Sequence, residues 1–492
     1  MTEPLIFELS SPGRSTGHVV ECDVPESGLT DLIPQDFLRG ELELPELTER
    51  EIAGHFTRLS QVNYSVDAGF YPLGSCTMKY NPRVNEAVAS LEGFTRIHPL
   101  QDERTVQGAL RLMFELQEYL CRIGGLDAVS LQPAAGAHGE LTGILMVRAY
   151  HRSRGDAQRR IVLVPDSAHG TNPATAATSG HQVVNVKSDD QGGVDLYHLR
   201  AQISDQVAAL MLTIPNTLGL FDQNILEISR IVHDAGALLY CDGANMNAMV
   251  GQIKLGDLGC DVMHFNLHKT FSTPHGGGGP GSGPIAVKSH LAPFLPVPVV
   301  GKRTSETGDW YYLDYERPQS IGKLRSFYGN FGVLVRAYAY IRSLGEEGLR
   351  RVSENAVLNA NYLMHLLKGT YDLPYDRTCM HEFVLSGRRQ KAKGVRTLDI
   401  AKRLLDYGFH PPTVYFPLVV DEAMMIEPTE TETLRTLDAF ARALTQIAEE
   451  AATDPEKALT APHTTVVGRL DEVTAARKPV LRWRPEQVET EM

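Results

Sequence analysis

Cysteine, uninterrupted apolar sequence and positive charge are all scarce in this chain. Its six cysteines (Cys22, Cys76, Cys121, Cys241, Cys260 and Cys379) are scattered through 492 residues without a Cys-x-x-Cys pair, which argues against a disulfide framework and a zinc ribbon. Reduced thiols are expected, and no metal. No apolar run approaches the roughly 18 residues needed to cross a bilayer, so no membrane span is expected. Against 60 Asp and Glu there are 47 Lys and Arg, a formal charge of −13. Nucleic acid and anionic membranes both demand a basic footprint, and neither is an expected partner. The opening residues, Met1-Thr-Glu-Pro-Leu-Ile-Phe-Glu, carry early acids and no basic segment followed by an apolar core, so no targeting peptide is expected and a cytoplasmic location follows by default.

What is present is an ordinary hydrophobic fraction, 42%, in a chain too long for one ordinary domain. Residues 1–65 are rich in Pro, Glu and Leu, with Pro4, Pro12, Pro25, Pro34 and Pro45 interrupting any long helix, and read as an N-terminal arm. Residues 66–328 contain short apolar runs alternating with helix-like stretches: Ile161 to Pro165, Val207 to Pro215, Ala237 to Ala244, Val262 to Asn266, and Pro284 to Val287. Buried parallel strands are written this way, which predicts an α/β domain with ligands at the polar turns that follow the strands. Residues 329–450 predict a smaller α/β domain. Its helices would cover Phe331 to Leu344, Glu346 to Leu367 and Leu398 to Tyr407, and its strands Glu382 to Ser386 and Thr413 to Val420. Residues 451–492, with Pro455, Pro462, Pro479 and Pro485 among many charges, read as a surface tail.

Four strand-end features carry candidate chemistry. Lys269, in Asn266-Leu-His-Lys-Thr, closely follows a core strand and has no charged neighbour in sequence, the setting of a partly desolvated amine able to form an imine. A lysine near a strand end is also commonly structural. Asp242, in Tyr240-Cys-Asp-Gly-Ala-Asn, ends an apolar strand, where a buried carboxylate can keep a pyridine nitrogen protonated or simply cap the following turn. The small-residue segment Gln132-Pro-Ala-Ala-Gly-Ala-His-Gly139 opens a helix, so Gly136 and Ala137 are placed to cradle a phosphate, unless this is only a helix-start loop. His169, between Ala168 and Gly170 past another strand, offers a flat ring for stacking, and Thr213 a hydroxyl at a fourth strand end. His264 and His268 have i, i+4 spacing without the His-Glu-x-x-His pattern of a zinc helix. The run Gly276-Gly-Gly-Gly-Pro-Gly281 lacks a closing Gly-Lys-Ser/Thr and reads as a flexible turn that lets a partner chain approach, not a nucleotide loop.

Six segments, in order, resemble the pyridoxal-phosphate glycine decarboxylases, the P-proteins of the glycine cleavage system, and within them the second-subunit type. They are Phe70-Tyr-Pro-Leu-Gly-Ser-Cys-Thr-Met-Lys-Tyr-Asn-Pro82, Gln132 to Gly139, Ala168-His-Gly-Thr-Asn-Pro173, Asp242-Gly-Ala-Asn-Met-Asn247, Leu267-His-Lys-Thr-Phe271 and Ser326-Phe-Tyr-Gly-Asn-Phe331. The resemblance spans about residues 15 to 450. It implies an aspartate-aminotransferase-type fold (fold type I), with a large, mostly parallel-sheet domain and a small C-terminal domain.

The reaction it implies is decarboxylation of glycine, release of carbon dioxide and transfer of the aminomethyl group to the lipoyl arm of the H-protein. Pyridoxal 5'-phosphate would be covalent on Lys269, with Asp242 at the ring nitrogen and His169 stacked on the ring. Ala135, Gly136, Ala137, Thr213, Ala244 and His268 complete the expected cofactor contacts. Ser75, Cys76, Thr77, Asn172 and Arg325 are the expected substrate-channel residues, Cys76 being either redox-sensitive or an ordinary buried thiol. Forms with both halves in one polypeptide are about twice this length, so a sister subunit 1 and an α2β2 assembly are implied. Two departures from the family pattern are His98-Pro-Leu-Gln-Asp102, for His-Pro-Phe/Tyr-Gln-Pro, and Gly322-Lys-Leu-Arg325, for Gly-Arg-Val-Arg. The alternatives left open are another fold type I enzyme, such as an amino-acid decarboxylase or a desulfurase, and a non-catalytic scaffold subunit.

Overall fold

A computed structural model describes residues 2–15, 23–25, 27–40, 44–275, 279–306 and 308–482. They fall into two compact units, residues 1–68 with 462–492, and residues 69–461. In the first, a 14-residue helix, Glu49–Val62, corrects the expectation that prolines preclude a long helix before residue 65. It starts after Pro45, and Thr48 and Glu51 close a reciprocal capping box at its N-terminus.

The second unit is built on a seven-stranded sheet. Its strands are β1 (Ala128–Ser130), β2 (Ile161–Pro165), β3 (Gln182–Val186), β4 (Val207–Thr213), β5 (Leu238–Gly243), β6 (Val262–Phe265) and β7 (Ile285–Val287), in the order β1-β7-β6-β5-β4-β2-β3. Strands β3, β2, β4, β5 and β6 run parallel, while β7 is antiparallel to both β6 and β1. Two apolar clusters cover the sheet, one around Leu163, Leu210 and Met263 and the other around Val162, Met211 and Tyr240. Period-2 alternation explains this: neighbouring residues of each strand serve opposite clusters. The thiols of Cys76, Cys121, Cys241, Cys260 and Cys379 are free, and Cys22 lies outside the described residues.

A hairpin, β8 (Val299–Ser305) with β9 (Gly308–Asp314), follows the large sheet. The helix Phe331–Leu367 then leads to a three-stranded antiparallel sheet of order β10-β12-β11, comprising β10 (Phe383–Ser386), β11 (Thr413–Val414) and β12 (Ala423–Ile426). Gly345 (φ 64°, ψ −171°) kinks that helix between the two stretches expected from sequence. The strand expected over Thr413 to Val420 stops at Val414, because Tyr415 turns into the left-handed region (φ 57°). Packed chain also continues past residue 450: the helix Leu434–Thr453 crosses that boundary, and Ala458 and Ala461 are buried. Among the described residues no helix is long and apolar enough to cross a membrane.

The segment 70–80 straps the two sheets together. Leu73 bridges to Ile426 on β12, Gly74 N donates to Met425 O at 3.3 Å, and Thr413 Oγ1 donates to Gly74 O at 2.7 Å.

Candidate active site

The C-terminal ends of β4, β5 and β6 open on one cavity, where an open parallel sheet places its ligands. Register fixes the neighbours: Thr213 pairs with Asp242, and Asp242 with His264. The cavity brings together Ser75, Gly136, Ala137, His169, Thr213, Asp242, Ala244 and Lys269. Helix Gly136–Ser153 aims its N-terminus into it, and Gly136 packs closely there: a Cβ would stand 2.6 Å from Asn266 Oδ1, so that side chain would have to shift.

Lys269 is buried, and its Nζ donates to the Ser75 carbonyl at 2.6 Å. Ser75 adopts a left-handed conformation (φ 68°), and its amide donates to Glu382 Oε2 at 2.7 Å. Asp242 is 3% exposed; its Oδ1 accepts the Ala244 amide at 3.0 Å and lies 3.4 Å from His264 Nε2. Burial alone would push the Asp242 carboxyl up, but His264, the Ala244 amide, His169 and Lys269 together hold it below its ordinary value. It is a carboxylate. Tyr240 contacts His264 Nδ1 at 2.7 Å through its hydroxyl; burial lowers the proton affinity of this imidazole, and the charge of Asp242 works against that.

Asn172 reaches this carboxylate from the other side. In the orientation that satisfies both ends of its amide, the nitrogen donates to Glu140 Oε2 (3.0 Å) and Asp242 Oδ2 (3.3 Å), and the oxygen accepts from Thr213 Oγ1 (3.2 Å). Burial and the charge of Asp242 push the Glu140 carboxyl up to about 7, although Thr171 Oγ1 donates to it at 2.7 Å. His169 Nδ1 stands 2.8 Å from Thr171 Oγ1, which fixes the ring at the cavity wall.

The other expected residues stand around the cavity instead of lining it. Ala135 is the N-cap of the helix, and its carbonyl accepts the Gly139 amide at 2.9 Å. His268 accepts the Ser282 amide at 3.2 Å and sits edge-on to His275. Cys76 contacts His275 Nε2 at 3.3 Å, and burial pushes its thiol up, away from the reactive thiolate. Thr77 donates to Glu427 Oε1 at 2.7 Å. Arg325 binds Asn330 Oδ1 at 3.1 Å, and Asn330 in turn donates to Ala134 O at 3.2 Å. The glycine run falls partly on residues 276–278, outside the described residues.

Sequence reasoning missed Glu140, Asn266, His381 and Glu382, all of which line the cavity. Glu140 follows the small-residue segment and Glu382 opens an apolar strand. A carboxylate at either place was the available signal.

The residues fit pyridoxal phosphate. A buried amine and a buried carboxylate line one cavity, and the first amides of an 18-residue helix, which lack intrahelical acceptors, line it as well. Asn266 lines the same cavity, and its Oδ1 is buried with no hydrogen-bond partner among the described residues.

Residues 142–308 match the class-V aminotransferase family, and residues 352–466 match the C-terminal domain of glycine dehydrogenase. A solved structure titled as glycine decarboxylase (P-protein) of the glycine cleavage system, in inhibitor-bound form, superposes with a TM-score of 0.73 at 22% identity, covering 85% of this chain and 95% of that one. A cysteine desulfurase from Thermococcus onnurineus shares the fold at a TM-score of 0.60 and 15% identity, covering 79% of this chain and 98% of that one. "Probable glycine dehydrogenase (decarboxylating) subunit 2" of Caldanaerobacter subterraneus subsp. tengcongensis is 61% identical over 97% of this chain and 98% of its own. The protein of the same name from Bacillus cytotoxicus is 60% identical over 98% of each chain. Identity at that level, over nearly the whole of both chains, places this protein in the glycine dehydrogenase (decarboxylating) subunit 2 family.

Proposed function

We propose that this chain decarboxylates glycine at the cavity floored by Lys269 and Asp242, and passes the one-carbon amine to the lipoyl arm of an H-protein while working with a sister subunit in an α2β2 assembly. The observation that carries the reading is the buried Lys269 amine sharing one cavity with a buried, ionised Asp242. When bound, pyridoxal phosphate supplies an electron sink for the pair released as carbon dioxide departs.

The chain's own residues set the conditions for that chemistry. Lys269 would hold the cofactor covalently and give way to glycine's nitrogen, and the Ser75 carbonyl, 2.6 Å from Nζ, would receive the displaced amine. Asp242 would keep the ring nitrogen protonated. Its own charge is secured by His264, by the Ala244 amide and by the Asn172 amide. Gly136 and Ala137 would present backbone amides to the phosphate, His169 would cover one ring face, and Thr213 would reach the ring hydroxyl. The strap residues Ser75, Cys76 and Thr77 would border the lipoyl channel.

The test is exchange. A complex of this chain with its sister and a lipoylated H-protein exchanges labelled bicarbonate into the carboxyl of glycine, and Lys269→Ala abolishes both this exchange and the visible absorbance of the bound cofactor. No exchange by a cofactor-loaded complex, or turnover of a different amino acid without H-protein, would overturn the reading.

A further inference from the structure

The cavity contains an acid with no role so far. Glu382, 4% exposed, lines it together with Lys269 and Ser75. Glu427 is fully buried behind it, and one oxygen from each of these carboxyls and one ring nitrogen of His381 lie within 4.8 Å of one another. Two buried carboxyls this close cannot both ionise without strong repulsion, so the pair keeps one proton. Burial pushes both upward, and the charge of Glu382 adds to the effect on Glu427.

The hydrogen bonds decide which carboxyl carries the proton. Glu427 accepts from Thr77 Oγ1 (2.7 Å), Asn245 Nδ2 (2.9 Å) and Asn247 Nδ2 (3.2 Å). Asn245 is fixed in that orientation because its Oδ1 accepts the Asn247 amide at 3.0 Å. Thr77 itself accepts from Asn245 Nδ2 at 2.8 Å, leaving its hydroxyl proton for Glu427. Ringed by donors, Glu427 is the ionised member. Among the described residues Glu382 accepts one hydrogen bond, from the Ser75 amide, and its Oε1 lies 3.7 Å from His381 Nε2. Burial holds His381 neutral, down to about 3, and neither ring nitrogen has a hydrogen-bond partner among the described residues. The shared proton therefore belongs to Glu382, at the cavity wall.

We propose that Glu382 is the proton donor of this site, delivering the proton it holds to the sulfur expelled when the lipoyl disulfide is opened, and being recharged by the proton that the ammonium of the next glycine sheds. This rests on the function proposed above. Glycine's ammonium must shed one proton before its nitrogen can bond. Carbon dioxide then leaves, the remaining carbon bonds to one sulfur, and the S–S bond breaks with its electron pair retained by the second sulfur. That sulfur takes the Glu382 proton, and the proton shed by the next glycine's ammonium restores the acid, so one hydrogen enters from nitrogen for each that ends on a thiol and no outside reductant is needed.

Glu382→Gln tests this, because its amide oxygen can still accept the Ser75 amide. With the complex loaded and supplied with lipoylated H-protein, the variant is expected to lower glycine–bicarbonate exchange by roughly 100-fold or more. The KM for glycine and the absorbance of the bound cofactor stay unchanged, and Glu382→Asp restores part of the rate. Exchange by the wild type falls as pH rises through the titration of the pair, and the variant loses that limb. The charged and titratable groups facing Glu382 are Glu427, His381, Lys269, Cys76 and Cys379. Independently of activity, infrared difference spectra of the cofactor-free chain should show a protonated carboxyl stretch that disappears in Glu382→Gln and persists in Glu427→Gln. Undiminished exchange in Glu382→Gln, or a carboxyl band that belongs to Glu427, overturns the proposal. Absence of exchange in the wild type overturns the proposed function, and the sulfur as proton acceptor with it.

Discussion

At the scale of single residues, the site depends on groups whose charge is set by what surrounds them. Asp242 is buried yet ionised, so Asp242→Asn removes a full negative charge while leaving shape and the Ala244 contact nearly intact. The variant should still bind cofactor but lose roughly 100-fold or more in glycine–bicarbonate exchange, as removal of a preorganised electrostatic partner does. Gly136→Ala is expected to act differently. Its methyl would press on Asn266 at 2.6 Å, so cofactor affinity, read by titrating absorbance, should weaken by about tenfold or more, near 1.4 kcal/mol. Lys269, Asp242 and Gly136 were all legible in sequence because each stands at the end of an apolar run or the start of a helix. Glu427 was not. It serves the site through Thr77, 350 positions away, and nothing local marks such a pairing.

At the scale of elements, the parallel strands were readable and the polar or short ones were not. Strands β2, β4, β5 and β6 are buried on both faces and so appear as continuous apolar runs. Strand β3, at the sheet edge, reads Gln-Val-Val-Asn-Val, and the mostly exposed start of β9 resembles loop sequence. Strand β12, Ala-Met-Met-Ile, is too short and too poor in β-branched residues to declare itself, although it is the centre of the small sheet. The loop after β4 reaches that sheet through Gly219, whose left-handed backbone (φ 75°) lets it pass against the Glu382 carbonyl. A Cβ there would stand 1.8 Å from that oxygen. Gly219→Ala should therefore destabilise the chain by more than about 1 kcal/mol in denaturant unfolding and lower exchange as well, because Glu382 moves. Full stability in this variant would mean the loop relaxes freely.

At the scale of the whole molecule, the buried acids imprint a pH dependence on stability. Burial pushes Glu140 and Glu432 up to about 7 from an ordinary 4.5, and it pushes the titration of the proton shared by Glu382 and Glu427 upward as well. Such groups bind protons more tightly when folded, so their contribution is complete below 4.5 and is lost as pH rises through the folded values. Several buried histidines act in the opposite sense: His268 is pushed down to about 3 and His275 to about 4 from 6.5, so their contribution rises with pH and is complete above 6.5. Above that point the acids act unopposed by these histidines. The melting temperature of the cofactor-free chain should fall between pH 6.5 and about 8, less steeply in Glu140→Gln, and a flat or rising curve would contradict this.

The strap from residue 70 to residue 80 gives these scales a common link. Its Ser75 carbonyl receives the Lys269 amine, while the preceding peptide is laced to Met425 and Thr413 of the small sheet. A lysine turned toward a ligand would let go of Ser75, and the small sheet would lose one of its tethers to the large one. Chemistry at the cavity floor would thereby be audible at a distance. Deuterium uptake at the Gly74 amide, hydrogen-bonded to Met425, should therefore be faster in the cofactor-loaded chain than in the cofactor-free one.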